Sequence, residues 1–148
     1  MTEVLFYHLE SQPLERVLPT LLEKTLERGW RAVVETSSRE RATAIDAMLW
    51  TYRDDAFLPH GIAGDESDPD QPVLIAMDEQ NANAANVRFY VDRAVPRTAE
   101  GYERIVYMFS GHDPDAVTEA RVAWKGLLEG NALTYWQQDD AGRWVKKA

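Results

Sequence analysis

The sequence predicts an α/β fold, with one domain built on a mostly parallel sheet that helices cover. Three observations support this prediction. Short apolar segments alternate with segments of helical periodicity in the first half of the chain. The apolar segments are continuous rather than alternating, which is typical of strands buried on both faces. The chain has 148 residues, of which 45% are hydrophobic and 28% charged, and this is an ordinary size and composition for one domain with a single core.

The chain begins with a predicted strand, helix and second strand. Residues 4–9 and 30–35 are apolar runs of strand length. Between them, Pro13 stands where a helix could begin, and Gly29 ends it. The start stays open, because Pro19 fits a first turn only if the helix begins about a turn later. The helical spacing is carried by five apolar residues: Val17, Leu18, Leu21, Leu22 and Leu26.

A second helix and a long loop follow. Ser38 is suited to be the N-cap of a helix that ends near Trp50. Its apolar face consists of Ala42, Ile45, Met48 and Leu49. We expect residues 51–72 to be irregular, with an acidic, turn-rich tract at residues 64–70. A loop of this length is uncommon in a compact domain unless it has a function.

The second half adds strands and one long helix. Asp113 and Pro114 are typical of an N-cap and a first helical residue, and we expect this helix to run to about Glu129 before Gly130 ends it. The predicted strands are residues 72–77, 87–91, 105–109, 133–138 and 143–145. No linker or repeat interrupts the chain, so residues 1–148 are predicted to form a single domain. We expect its core to include Phe6, Val33, Leu74, Ile75 and Val106.

Composition and charge exclude several classes of protein. There are no cysteines, which excludes a disulfide framework, a Cys-ligated zinc site and a thiol nucleophile. The net charge is -9, so the chain has little long-range attraction for phosphate backbones, and we expect it to meet nucleic acid only indirectly. The N-terminus lacks the pattern of a signal peptide and no apolar stretch reaches membrane-spanning length. The prediction is a cytoplasmic protein that does not enter a membrane.

The signatures of nucleotide-binding and catalytic sites are also missing from the sequence. Residues 9–13 follow the first strand where a glycine-rich phosphate loop would stand, so the outline is Rossmann-like without a nucleotide-binding loop. The histidines His8, His60 and His112 have no close metal-ligand spacing, and no Gly-x-Ser-x-Gly elbow is present. We therefore expect no catalytic residues, no metal and no cofactor. Two alternatives stay open: a small hydrolase or transferase that uses carboxylates and His60, and an oligomerising structural domain.

Two groups of residues are candidates for partner binding. Trp50 is followed by Phe57, Pro59 and His60, and exposed aromatics of this kind are typical interface anchors. The alternative is that they close the core beneath the loop. Periodicity alone favours that alternative.

The second group is Arg121, Trp124 and Lys125, whose spacing places them on one face of the last helix. Two cations beside an aromatic could bind an acidic peptide or a terminal carboxylate. The alternative is that Trp124 belongs to the core and that water solvates both cations. From periodicity alone, this alternative is also favoured.

The order of these features resembles the chi subunit family of DNA polymerase III. The resemblance runs from near residue 3 to about Trp136, and its most specific part is the stretch from Leu49-Trp50 to Phe57-x-Pro59-His60. The other motifs that carry it are Phe6-Tyr7, Ile45-Asp46, Gly64, Pro72-Val73 and Ala120-Arg121-x-x-Trp124-Lys125. Three features depart from the family pattern: residues 65–70 are unusually acidic, residues 137–148 form a C-terminal extension, and Trp124 stands where the family has an aromatic residue of another type.

The resemblance implies a non-catalytic accessory subunit with two protein partners. One is the psi subunit of the clamp loader, and the other is the acidic, hydrophobic C-terminal tail of single-stranded DNA-binding protein. By similarity, the psi-facing residues are Trp50, Phe57, Pro59 and His60. Also by similarity, the tail-binding residues are Arg121, Trp124 and Lys125, with Phe109 and Leu133 as neighbours.

Overall fold

The computed structural model describes residues 2–53, 57–97 and 99–148, and within them eight strands form one sheet. The strands are β1 (Thr2–Leu9), β2 (Ala32–Glu35), β3 (Gly61–Ile62), β4 (Val73–Ala76), β5 (Val87–Tyr90), β6 (Arg104–Ser110), β7 (Asn131–Gln138) and β8 (Trp144–Lys146). Their order across the sheet is β3-β4-β2-β5-β6-β1-β7-β8. Neighbouring strands are parallel except for β7 and β8, which are antiparallel. The predicted α/β class with a mostly parallel sheet is confirmed.

Helices cover both faces of this sheet. They are α1 (Leu14–Glu27), α2 (Arg39–Thr51) and α3 (Pro114–Leu127). Side chains of α1 and α2 share one apolar cluster, whereas those of α3 pack in a second cluster with Phe6 and Tyr107. Neighbouring residues of β1 alternate between the two faces, since Phe6 packs under α3 and Tyr7 under α1. The five residues predicted to be in the core are all buried: Phe6, Val33, Leu74, Ile75 and Val106.

The helix starts follow the predicted capping residues. The Ser38 hydroxyl accepts a hydrogen bond from the N–H of Arg41, and the Asp113 carboxylate accepts from two N–H groups in the first turn of α3. Helix α1 begins at Leu14, so the earlier of the two possible starts is the correct one, and Pro19 lies inside the helix. Because proline has no N–H, the carbonyl one turn earlier lacks its usual helical hydrogen bond. The burial of Pro19 in the core offsets this loss.

The segment at residues 51–72 is more regular than predicted. Gly61–Ile62 pairs in parallel with β4, and Asp68–Asp70 forms one turn of 3-10 helix. These elements are too short for a hydrophobic period to predict. The Asp68 carboxylate accepts hydrogen bonds from the N–H groups of Gly64 and Asp65 at 2.8 and 3.1 Å, so the acidic tract organises its own backbone.

A buried ion pair joins β2 to β5. Arg88 Nη2 donates to Glu35 Oε1 at 2.5 Å, and both side chains are almost completely buried. Nη1 donates to the Tyr102 hydroxyl at 3.0 Å and to the Gln80 carbonyl at 3.1 Å, and Nη2 also donates to the Asp78 carbonyl. This network ties two loops to the centre of the sheet, and sequence pattern alone gave no sign of it.

Candidate partner-binding surfaces

Helix α3 presents two free cations beside an aromatic side chain. Arg121 and Lys125 are exposed, one turn apart, and neither forms an ion pair within the described residues. Trp124 lies between them in sequence and is half-buried. The surface thus combines positive charge with an apolar ring, which is the chemistry that an acidic peptide with an aromatic side chain needs.

The Trp124 ring also belongs to the core under α3. It packs edge-on against Phe6, with ring centroids 5.2 Å apart, and against Tyr135 at 6.0 Å. The two interpretations of Trp124 are therefore both partly correct, since one side of the indole closes the core and the rest stays open beside the cations.

Tyr135 is a member of this surface that the sequence analysis missed. Its register on β7, directly opposite Phe6 of β1, brings its ring under Trp124. The hydroxyl lies 2.6 Å from His8 Nδ1. Burial raises the pKa of Tyr135, while the nearby positive charge of Arg121 acts in the opposite direction. The position of Tyr135 beside Trp124 follows only from the pairing of β1 with β7, and the pattern of a single sequence does not specify this pairing.

The two neighbours implied by the family resemblance occupy different depths. Phe109 is buried and packs against the rings of Tyr135 and His8, at 6.0 and 5.2 Å, so it supports the surface from beneath and does not face a partner. Leu133 is half-buried on β7 against the α3 cluster. Leu128, which is 54% exposed and lies seven residues after Arg121, extends the same face and was not predicted.

The second surface lies at the end of α2. Trp50 and Phe57 are 54% and 72% exposed, and their rings are 5.8 Å apart. Pro59 is half-buried beside them, and residues 54–56 lie outside the described part of the chain. The predicted exposed patch is confirmed for Trp50 and Phe57. For His60 it is wrong, because its ring packs under Trp50 at 4.7 Å and is buried.

The burial of His60 also weighs against the enzyme alternative. Its Nδ1 is 2.6 Å from the Leu58 carbonyl, and its Nε2 is 3.2 Å from the Asp46 carboxylate. Both ring nitrogens are thus engaged in a fully buried side chain, which leaves no open position for a substrate. These contacts instead fix the turn that carries Phe57.

A cleft of about 510 Å³ lies where the carboxyl ends of β1 and β6 meet. Ligands of parallel α/β proteins often bind at such a position. Two charged groups of the wall, Arg93 and Asp113, pair with each other at 3.1 Å, and Asp92 of the wall binds Arg41, which lies outside it, at 3.0 Å. Within the described residues, no cluster of three or more His, Cys, Asp or Glu is arranged to hold a metal ion. None of the helices in this part of the chain has the length and apolar character needed to cross a membrane.

The two surfaces are far apart in the topology. Trp50 ends a helix that covers one face of the sheet and lies beside the loop leading to β3, an edge strand. Arg121 and Lys125 lie on α3, which covers the opposite face and packs on β6 and β7 towards the other edge. The two surfaces therefore lie on opposite faces of the sheet and share no residue.

Comparisons of the sequence with a family model and with curated proteins agree on one family. The family model described as "DNA polymerase III chi subunit, HolC" matches residues 1–132. The chain is 29% identical over 87 residues to a probable DNA polymerase III subunit chi of Rickettsia prowazekii, a match that covers 59% of this chain and 53% of the relative. It is 28% identical over 108 residues to the DNA polymerase III subunit chi of Pseudomonas aeruginosa, covering 71% of this chain and 75% of that one.

These matches differ in extent. The chain spans about half the length of the Rickettsia prowazekii relative and three quarters of the Pseudomonas aeruginosa one. Among solved structures, the C-terminal domain of the DEAD-box protein Dbp5 is similar with a TM-score of 0.48 and 12% identity, over 90% of each chain.

Proposed function

The chain belongs to the DNA polymerase III chi subunit family, whose members are accessory subunits of the polymerase. We therefore propose that it acts as a non-catalytic adaptor in the cytoplasm. In this role it joins the clamp loader, through psi, to the C-terminal tail of single-stranded DNA-binding protein. The observation that carries the proposal is the presence of two open surfaces on opposite faces of one sheet: the Arg121–Lys125 face of α3 and the Trp50–Phe57 patch.

The α3 face suits the tail of single-stranded DNA-binding protein. That tail carries acidic residues and ends in an apolar aromatic residue with a free carboxylate. Arg121 and Lys125 supply positive charge that no carboxylate of the described residues pairs with, and Trp124 and Tyr135 supply a half-buried aromatic wall. A charge-assisted hydrogen bond contributes about 1.5–3 kcal/mol, so losing either cation should weaken binding by about one to two powers of ten.

Calorimetric titration with a peptide that ends in Asp-x-Pro-Phe tests this half of the proposal. We expect binding that falls as salt concentration rises, because the attracting charges are exposed. Arg121→Ala, Lys125→Ala and amidation of the peptide's terminal carboxylate should each weaken it. Arg16→Ala is a matched control, since this exposed arginine lies on α1, which covers the opposite face of the sheet. Unchanged affinity in both α3 variants would remove this surface from the proposed function.

The Trp50–Phe57 patch suits the psi subunit. Two adjoining aromatic rings exposed to water are energetically costly unless a partner covers them. Phe57→Asp should therefore abolish capture of psi in a pull-down without lowering stability, since the side chain is 72% exposed. Val122→Asp is the matched control, because Val122 is 67% exposed and lies on α3. Retention of psi by Phe57→Asp would exclude the patch as its binding surface.

A further inference from the structure

The face of the sheet under α3 continues beyond β7 onto strand β8. Tyr135 of β7 pairs with Phe6 of β1, which lies under α3, and the N–H of Lys147 donates to the Tyr135 carbonyl at 2.8 Å. The next pair in the register is Trp136 with Lys146. Because residues opposite each other in a sheet point to the same face, Lys147 lies on the Tyr135 side and Lys146 on the other.

This side of β8 carries a free cation and an exposed apolar residue. Lys147 is exposed and forms no ion pair within the described residues. Val145 lies two residues earlier, points to the same face and is 39% exposed. Tyr135 therefore has cations on both flanks, with Arg121 and Lys125 on α3 and Lys147 directly after the edge strand β8.

We propose that β8 and the residue that follows it, Lys147, form the second half of the acidic-peptide site, with Lys147 binding carboxylates upstream of the peptide's terminal residue and Val145 providing an apolar wall. This inference rests on the proposed function of the α3 face. Neighbouring strands are about 4.8 Å apart and an extended peptide rises about 3.3 Å per residue, so residues two or three positions upstream of a ring held at Tyr135 reach β8.

Strand β8 lies outside the span that the family model matches, which ends at residue 132. The inference therefore concerns this chain's own residues. Lysines on an edge strand also discourage pairing with other strands. That protective role would make no distinction between Lys146 and Lys147, whereas a peptide site on the α3 face would depend on Lys147 alone.

The test is calorimetric titration of the Asp-x-Pro-Phe peptide, extended upstream by acidic residues, against Lys147→Glu and its neighbour Lys146→Glu. The two variants have the same net charge and sit on opposite faces. We expect Lys147→Glu to weaken binding about threefold to tenfold and Lys146→Glu to leave it within about twofold. Replacing the upstream Asp residues of the peptide with Asn should remove most of the difference.

The outcomes distinguish a failure of the β8 inference from a failure of the proposed function of the α3 face. If Arg121→Ala weakens binding but Lys147→Glu does not, or if both lysine variants weaken it equally, β8 is not part of the site. If Arg121→Ala and Lys125→Ala also have no effect, the proposed tail-binding function fails as well. Thermal unfolding of each variant checks that the β7–β8 edge stays folded, and a variant whose Tm falls is replaced by the milder Lys147→Gln with Lys146→Gln.

Discussion

Trp124 should contribute both to folding and to binding, and substitution can separate its role from that of Arg121. Its indole packs edge-on against Phe6 and Tyr135. Truncating a fully buried tryptophan to alanine costs about 3–5 kcal/mol. Because Trp124 is only half-buried, we expect Trp124→Ala to lower the free energy of unfolding by about half of that, roughly 1.5–2.5 kcal/mol. The two aromatic contacts account for part of this loss.

Denaturant unfolding and peptide titration, measured on the same variants, check this reasoning. Trp124→Ala should lose both stability and affinity. Arg121→Ala should lose affinity by about one to two powers of ten while its unfolding free energy stays within about 0.5 kcal/mol of the parent, since its side chain is exposed. Trp124→Phe should recover most of the stability because a phenyl ring can keep the edge contacts. A stability loss below about 0.5 kcal/mol for Trp124→Ala would refute the packing argument.

Two further predictions concern buried polar groups. Glu35→Gln and Arg88→Met should each lower the unfolding free energy by up to about 3–5 kcal/mol, because each removes the short contact between two buried charged groups, and the exposed Arg97, 3.6 Å from Glu35, replaces little of it. The double variant should lose less than the sum, and strict additivity in denaturant unfolding would contradict the pairing. Burial lowers the pKa of His8, although Glu10 acts in the opposite direction. Because the unfolded chain then binds this proton at a higher pH than the folded chain, the free energy of unfolding should keep its full value above pH 6.5 and fall as the pH drops below it. His8→Gln should flatten this fall, and equal Tm slopes in the parent and variant between about pH 5 and 7 would argue against it.

The strands and helices could be predicted from the sequence because their signals are local. Continuous apolar runs marked the buried parallel strands, and Ser38 and Asp113 marked two helix starts through hydrogen bonds within the same turn. Strand β3 was missed because two residues carry no period. Its existence depends on pairing with β4, which is a tertiary contact.

The sites were only partly predictable because they depend on strand order and depth. The spacing of Arg121 and Lys125 placed both on one helix face, and both are exposed. Tyr135 joins them only because β7 pairs with β1, and Arg88 meets Glu35 only because β5 pairs with β2. His60 was expected in an exposed patch, but the Leu58 carbonyl and Asp46 satisfy its ring nitrogens in the interior. Nothing in the local sequence distinguishes these outcomes.

Net charge and local charge lead to different conclusions about partners. At -9, the chain as a whole disfavours long polyanions, whose charges would extend over its acidic surface. Many of its arginines are neutralised by carboxylates, as Arg41, Arg93 and Arg104 are. Since screening limits the reach of an exposed charge to about 8–10 Å, a short acidic peptide on α3 would respond mainly to Arg121, Lys125 and the neighbouring Lys147, none of which forms an ion pair within the described residues, and little to more distant charges. The proposed function is therefore compatible with the negative net charge, because carboxylates pair with other arginines while these cations form no ion pair within the described residues.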